Sequence, residues 1–310
     1  MVPLLVGDVG GTGTRLAVVG PDGLLSPVTE YRNDDFVAFA DLLERHCAAL
    51  RTAAGELPPR CVLAVAGPVR ENAVQMTNRG WRLDGAGLAE RCGLEQVQIV
   101  NDFAALAWAT LHFTAADLEW LGAARPDGGA SKVVLGPGTG LGVAALVPAG
   151  AGWTAVTGEG GHVTLAASTD EEARVIAHLR EHYGHCSAER LLSGPGLSDL
   201  AHALGYGRHA PEVVGQWIAG ETPSGRHTAR VFAELLATVA SDLALTFDAR
   251  GGVYLGGGIL PRLGAAFPVA AFTARFASKG RYSAFLAALP VARIVRPYPA
   301  FAGLPHLPPH

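Results

Sequence analysis

Five polar residues in this 310-residue chain stand where a strand end or a run of glycine would open them to a ligand: Asn101, Asp102, Glu159, His162 and Glu189. Asn101-Asp102 closes the short apolar run Val97-Gln98-Ile99-Val100 and precedes a helical stretch, Phe103 to Leu111. A carboxylate there lies at the carboxyl edge of a sheet, where open α/β folds bind ligands. The competing reading is a helix N-cap, which Asn and Asp both fill well. Gly158-Glu159-Gly160-Gly161-His162 sets a carboxylate and an imidazole three residues apart. Its three glycines allow a close approach to the backbone. Glu189 lies in Ser187-Ala188-Glu189-Arg190, which also reads as a capped helix start with an acid in its first turn.

Three glycine-rich turns add a second kind of chemistry. Asp8-Val9-Gly10-Gly11-Thr12-Gly13-Thr14 and Gly136-Pro137-Gly138-Thr139-Gly140-Leu141-Gly142 each separate two apolar runs, and Gly256-Gly257-Gly258 follows a third. Such turns can aim several N–H groups at one anion. Asp8 could hold Mg²⁺ between phosphates or simply bond its own turn. No GxxxxGK[ST] is present and no lysine lies in these turns, which excludes a Walker-type site. Neither of the first two turns reads GxGxxG before a helix, which disfavours a dinucleotide fold. His178, His182 and His185 share a helical spacing, but Arg180 and Glu181 interrupt the face and no fourth ligand is evident, so the spacing reads as a solvated face.

The elements that must position these groups follow from hydropathy. Leu4–Val6 and Leu16–Val19 form a hairpin around the first turn. Cys61–Ala66 is a strand buried on both faces, preceded by a helix from about Phe36 to Ala53. The arrangement returns with Lys132–Leu135 and Leu141–Val147 around the second turn. Helices follow near Asp170–Tyr183, Ala188–Leu192, Leu197–Leu204, Pro211–Ala219 and Arg226–Asp248, then strands at Gly252–Leu255 and Val291–Val295. A strand–turn–strand unit recurring after about 125 residues indicates duplication, one copy per domain. The expected organisation is an α/β domain over 1–111 and a larger one over 112–295 with helical insertions. The tail 296–310, with five prolines, is a candidate addition to the first.

Composition narrows the function. The net charge is −4, and Lys132 and Lys279 are the only lysines, which argues against nucleic acid as a partner. Cys47, Cys61, Cys92 and Cys186 form no framework, as expected of a cytoplasmic protein. Residues 133–158 carry no charge, but seven Gly and two Pro break the run, so two buried strands around a turn are expected rather than a membrane span.

Six ordered motifs closely resemble the bacterial ATP-dependent glucokinase family, within the hexokinase–actin–heat-shock ATPase superfold. They are Asp8–Thr12, Val100–Phe103, Gly136–Gly142, Gly158–His162, Ser187–Gly196 and Gly251–Ile259, and the likeness spans roughly residues 4 to 295. Asn72 to Trp81, with Met76-Thr77-Asn78, is similar to the family's segment before its sugar site. The resemblance implies two ribonuclease H-like domains, each with a mixed five-stranded sheet flanked by helices, closing over a cleft. It implies that Gly10, Gly11, Thr12, Gly138, Thr139 and Gly140 hold ATP phosphates, with Gly256, Gly257 and Gly258 near the adenosine; Asp8, beside the first turn, is the candidate for Mg²⁺, directly or through water. Asn101, Asp102, Glu159, His162 and Glu189 match glucose-binding positions, and Asp102 matches the catalytic base. A homodimer is implied. Gly13 stands where relatives usually have Asn. The closely spaced cysteines of the related zinc-bearing kinases are absent after His162, so no zinc is expected. Alternatives are a kinase for another hexose, a polyphosphate donor, or a sugar-binding sensor without catalysis.

Overall fold

The computed structural model describes residues 2–76 and 79–308, so Thr77 and Asn78 of the segment before the sugar motifs lie outside the described residues. The chain divides into two compact units, Met1–Phe113 with Pro297–His310, and Thr114–Arg296.

In the first unit the strands are β1 (Leu4–Val9), β2 (Gly13–Val19), β3 (Thr29–Arg32), β4 (Arg60–Val65), β5 (Ala73–Gln75), β6 (Arg82–Asp84) and β7 (Gln96–Asn101). The main sheet runs β3-β2-β1-β4-β7. Its first three strands are antiparallel, and β4 and β7 join β1 in parallel. Alternation decides what covers each face. Leu5, Leu16, Leu63 and Ile99 pack with Phe39, Leu42, Leu43 and Cys47 of helix α1 (Phe39–Ala54). Val6, Ala17, Val62, Ala64 and Val100 pack on the other face with Ala105 of α3 (Asp102–Ala109) and with Ala300, Phe301 and Leu304. The Pro-rich tail therefore belongs to this core. It forms two short 3₁₀ turns, Pro299–Ala302 and Leu304–His306, a shape suited to a chain poor in backbone donors. The short helix α2 (Gly85–Cys92) precedes β7 and is capped by Asp84.

The second unit repeats the sheet. Its strands are β8 (Leu118–Trp120), β9 (Lys132–Pro137), β10 (Leu141–Ala149), β11 (Gly152–Thr157), β12 (Val253–Leu255) and β13 (Val291–Ile294), in the order β11-β10-β9-β12-β13-β8. Two expectations are corrected here. This sheet has six strands, because Leu118–Trp120 adds to the free edge of β13. Residues 133–158 hold three strands rather than two, since Gly150 turns the chain with φ +58° and β11 returns along β10. No described helix is long and apolar enough to cross a membrane.

The helices are α4 (Asp170–Tyr183), α5 (Ala188–Leu191), α6 (Gly194–Ala201), α7 (Pro211–Ala219), α8 (Pro223–Thr246), α9 (Ile259–Leu263), α10 (Val269–Phe276) and α11 (Ser283–Ala287). The long α8 starts at Thr222, whose hydroxyl accepts from Gly225 N at 3.0 Å, with Pro223 in the first turn. Its buried face, including Phe232, Leu235, Leu236 and Val239, packs in one cluster with Val133, Leu135, Val253 and Val291 of the sheet.

Candidate active site

In the first unit, β7 delivers Asn101 and Asp102 to the start of α3. Asn101 is the N-cap: its Oδ1 accepts from Phe103 N and Ala104 N, both at 3.0 Å. Its Nδ2 donates to Gly67 O at 3.1 Å and to Asp102 Oδ1 at 3.2 Å. All four bonding positions of the amide are thus engaged. Asp102 Oδ1 also accepts from Phe103 N at 2.9 Å, and the helix start favours its negative charge. The cap reading therefore holds for Asn101.

Asn72 supports it from the side. Its Nδ2 donates to Val97 O at 2.8 Å and its Oδ1 accepts from Ile99 N at 2.7 Å, satisfying the outer edge of β7 just before Asn101. The position is strained, since Glu71 and Asn72 have φ of +50° and +58°.

The turn Gly10-Gly11-Thr12 joins β1 to β2. Two of its carbonyls are tied to one residue: Gly10 O accepts from Asn33 Nδ2 at 2.8 Å and Thr12 O from Asn33 N at 3.0 Å. Asn33 Oδ1 in turn accepts from Thr14 Oγ1 at 2.8 Å, and Asn33 is fully buried. Carbonyls occupied by Asn33 are not free to repel an anion at the turn. Asp8 lies beside it on β1. Burial pushes its carboxyl above the ordinary range, and Arg15, at 3.8 Å, offsets this only in part. Its side chain is still partly exposed, and a carboxylate with so loose a partner leaves room for a further cation. A Cβ on Gly13 would make only ordinary contact, 3.4 Å from Tyr31 O, so the backbone does not demand glycine there.

In the second unit, the pairing of residues 163–165 with 186–188 brings the glycine loop to α5. Leu165 N donates to Cys186 O, and Ala188 N to Val163 O. His162 Nε2 stands 3.8 Å from Glu159 Oε2 and 3.9 Å from Glu189 Oε1, so the three expected residues form one cluster. Glu189 Oε2 accepts from Leu141 N at 2.8 Å. A Cβ on Gly140 would fall 2.3 Å from that oxygen, and one on Gly161 would fall 2.2 Å from Leu141 O. Gly161 is required by close approach to backbone, whereas a side chain at 140 would displace the Glu189 carboxylate. Ser187 caps α5, accepting from Arg190 N at 3.2 Å. The second and third glycine turns lie together: Gly256 N donates to Leu135 O at 2.9 Å, and a Cβ on Gly257 would fall 2.4 Å from Pro137 O; the start of α6 also joins them, with Gly194 N on Gly138 O at 2.8 Å.

The histidine face divides. The His178 and His182 rings lie 4.7 Å apart, tilted by 42°, while His185 bonds Thr164 Oγ1 at 2.9 Å. Among the described residues no cluster of three ligating side chains is set for a metal. Sequence reading missed Asn33 and Asn72, whose roles come from distant partners; only the left-handed turn residue Asn72 had a type suggestive of its backbone.

Two sheets sharing one order over five strands, each with a glycine turn between two paired strands, give this chain the actin-like ATPase fold. The glucokinase family pattern matches residues 5–308. A glucokinase of Paramagnetospirillum magneticum is 41% identical, covering 97% of this chain and 96% of its own. The crystal structure of a glucokinase from an Antarctic psychrotroph superposes with a TM-score of 0.86 at 31% identity, covering 98% of each chain. A Streptomyces griseus glucokinase of the ROK family, solved with glucose and AMPPNP, shares the fold at a TM-score of 0.65 and 19% identity, over 97% of each chain. The chain belongs to the glucokinase family.

Proposed function

We propose that the protein transfers the γ-phosphoryl group of ATP to the 6-hydroxyl of glucose, with Asp102 as general base. The observation that carries the base assignment is the fixed carboxylate at the start of α3, held by Asn101 and Phe103 N. The 6-hydroxyl oxygen attacks the γ-phosphorus, the bond to the β,γ-bridging oxygen breaks, and ADP departs. Asp102 takes the hydroxyl proton. A loose phosphoryl-transfer transition state asks mainly for alignment and late proton capture, which an ionised carboxylate supplies.

Glu159, His162 and Glu189 are proposed to bond the sugar hydroxyls, together with Asp102. Asn101 orients Asp102 and reaches the sugar by exchanging one of its own bonds. Each pairing rejects a sugar lacking the matching hydroxyl. The turns at 10–12 and 138–140 present N–H groups to the phosphates, and 256–258 lies toward the adenosine. Asp8 would hold Mg²⁺, directly or through water, with phosphates and water completing its shell. When bound, the ion neutralises phosphate charge. The four cysteines are free and buried, which supports a reducing cytoplasm. A homodimer is proposed from the resemblance, with sedimentation as its check.

A coupled assay with ATP or polyphosphate against a panel of hexoses tests the reading. ATP with glucose should give the highest kcat/KM. Equal rates with polyphosphate, or preference for another hexose, would overturn the donor or the sugar assignment. A chelator should stop turnover and leave the thermal midpoint in place. Stoichiometric zinc by metal analysis would contradict the Mg²⁺ assignment.

A further inference from the structure

Arg79 stands in the turn between β5 and β6, and its guanidinium reaches the first glycine turn. Nη1 donates to Asp34 Oδ1 at 2.7 Å and lies 3.5 Å from Gly11 O. The guanidinium carbon sits 4.7 Å from the centre of the Trp81 ring. Trp81 is itself pinned by a bond from its Nε1 to Val37 O at 2.8 Å. Both bonds of Arg79 use Nη1. Its Nε is buried with no acceptor among the described residues.

We propose that Arg79 is a phosphate-binding residue for ATP, turning its Nε–Nη2 edge onto the nucleotide that occupies the Gly10–Thr12 turn. This rests on the reading of that turn as a phosphate site. Three physical points support it. The Nε–Nη2 edge of a guanidinium matches two phosphate oxygens with two parallel bonds, and this edge carries an unsatisfied donor. A buried donor without an acceptor is costly, so a shift that gives it one is favoured. The ion pair that holds Arg79 is a weak competitor, because the Asp34 side chain is 71% exposed against 18% for Arg79. The other cation beside the turn, Arg15, already faces Asp8 and Glu30, each at 3.8 Å.

The test is calorimetric titration of the full chain with Mg–AMPPNP and, separately, with adenosine. Arg79→Met keeps an unbranched side chain of similar reach beside Trp81 and removes the charge. It should weaken AMPPNP by about tenfold or more, leave adenosine unchanged and keep the thermal midpoint. Arg79→Lys should fall between. Asp34→Asn, on an exposed carboxylate, frees Nη1 and should tighten AMPPNP by about two- to fivefold. Wild-type affinity for AMPPNP in Arg79→Met overturns the proposal, as does an equal loss for both ligands, which marks a packing role. Should Arg79→Met fail to fold, an Asp34→Asn variant that binds AMPPNP no better overturns it instead. Failure of the wild-type protein to bind AMPPNP sinks the phosphate-site reading itself.

Discussion

The Glu189 carboxylate accepts a hydrogen bond from the amide of Leu141, the residue that leaves the second glycine turn, at 2.8 Å. Its other oxygen faces His162 at 3.9 Å. One side chain therefore braces the second glycine turn and lies beside His162 of the proposed sugar cluster. Glu189→Ala should weaken glucose by about 10- to 100-fold, the usual worth of bonds to a charged group, and weaken AMPPNP as well because the Leu141 amide loses its acceptor. Glu189→Gln, which keeps an acceptor, should preserve more of the nucleotide affinity. Calorimetry on both variants checks this. Unchanged AMPPNP affinity in Glu189→Ala would show that the turn stands without the bond.

Asp102→Asn should bind glucose with near-normal affinity and lose about 100- to 10,000-fold in kcat. The amide oxygen can still accept from Phe103 N, so the start of α3 keeps its shape. Steady-state rates paired with direct binding measure the two effects apart. A variant retaining half of kcat would remove Asp102 as base.

Two imidazoles make stability depend on pH. Burial holds His46 below its ordinary value near 6.5, and burial together with the stacked ring of His306 does the same to His112. Around and below 6.5 the unfolded chain binds protons that these folded rings refuse. Stability should therefore fall as the pH drops from about 7, then level off below the folded pKa values. Asp8 works against this slope, since burial raises its carboxyl. Thermal midpoints between pH 7.5 and 5 report the sum. His112→Phe keeps a ring against His306 without a titrating group and should flatten the decline; an unaltered slope would clear His112 of any part in it.

Gly303 presses on α3. A Cβ there would fall 2.2 Å from Ala105 O and 2.6 Å from Ala109 N. Gly303→Ala should cost about 1–3 kcal/mol through overpacking and lower kcat by shifting the helix that starts at Asp102. Gly215→Ala is the control: nothing lies within 4 Å of that position in α7, and helix propensity should make it neutral or stabilising. Melting curves of the two variants should separate in opposite directions.

The sequence was most legible where hydropathy and punctuation agreed. Asp170–Tyr183 and Pro211–Ala219 were readable to the residue, the first between Thr169 and Gly184, the second from Pro211 to Gly220. Strands with weak apolar signal were not. Thr29–Arg32 is a polar edge strand, Gly152–Thr157 is largely exposed, and Leu118–Trp120 has only three residues to show a period. The charged and polar cluster of Glu159, His162 and Glu189 was visible because glycines surround it. Asn33 was not, since its partners Gly10 and Thr14 lie 23 and 19 residues away and no local pattern marks it.

The tail described with the first sheet has a consequence for synthesis on the ribosome. Phe301 and Leu304 cover Val6, Val62, Ala64 and Val100, which are made long before them. The whole stretch Thr114–Arg296 is translated in between. At about 5–20 residues per second this leaves one face of the first sheet with α3 but without the tail for roughly 10–40 s. The second unit emerges with its own core complete and can fold while the first still waits. The nascent chain thus carries an open apolar face as a natural holding point for a chaperone, and the earliest strands to be made belong to the last core to close.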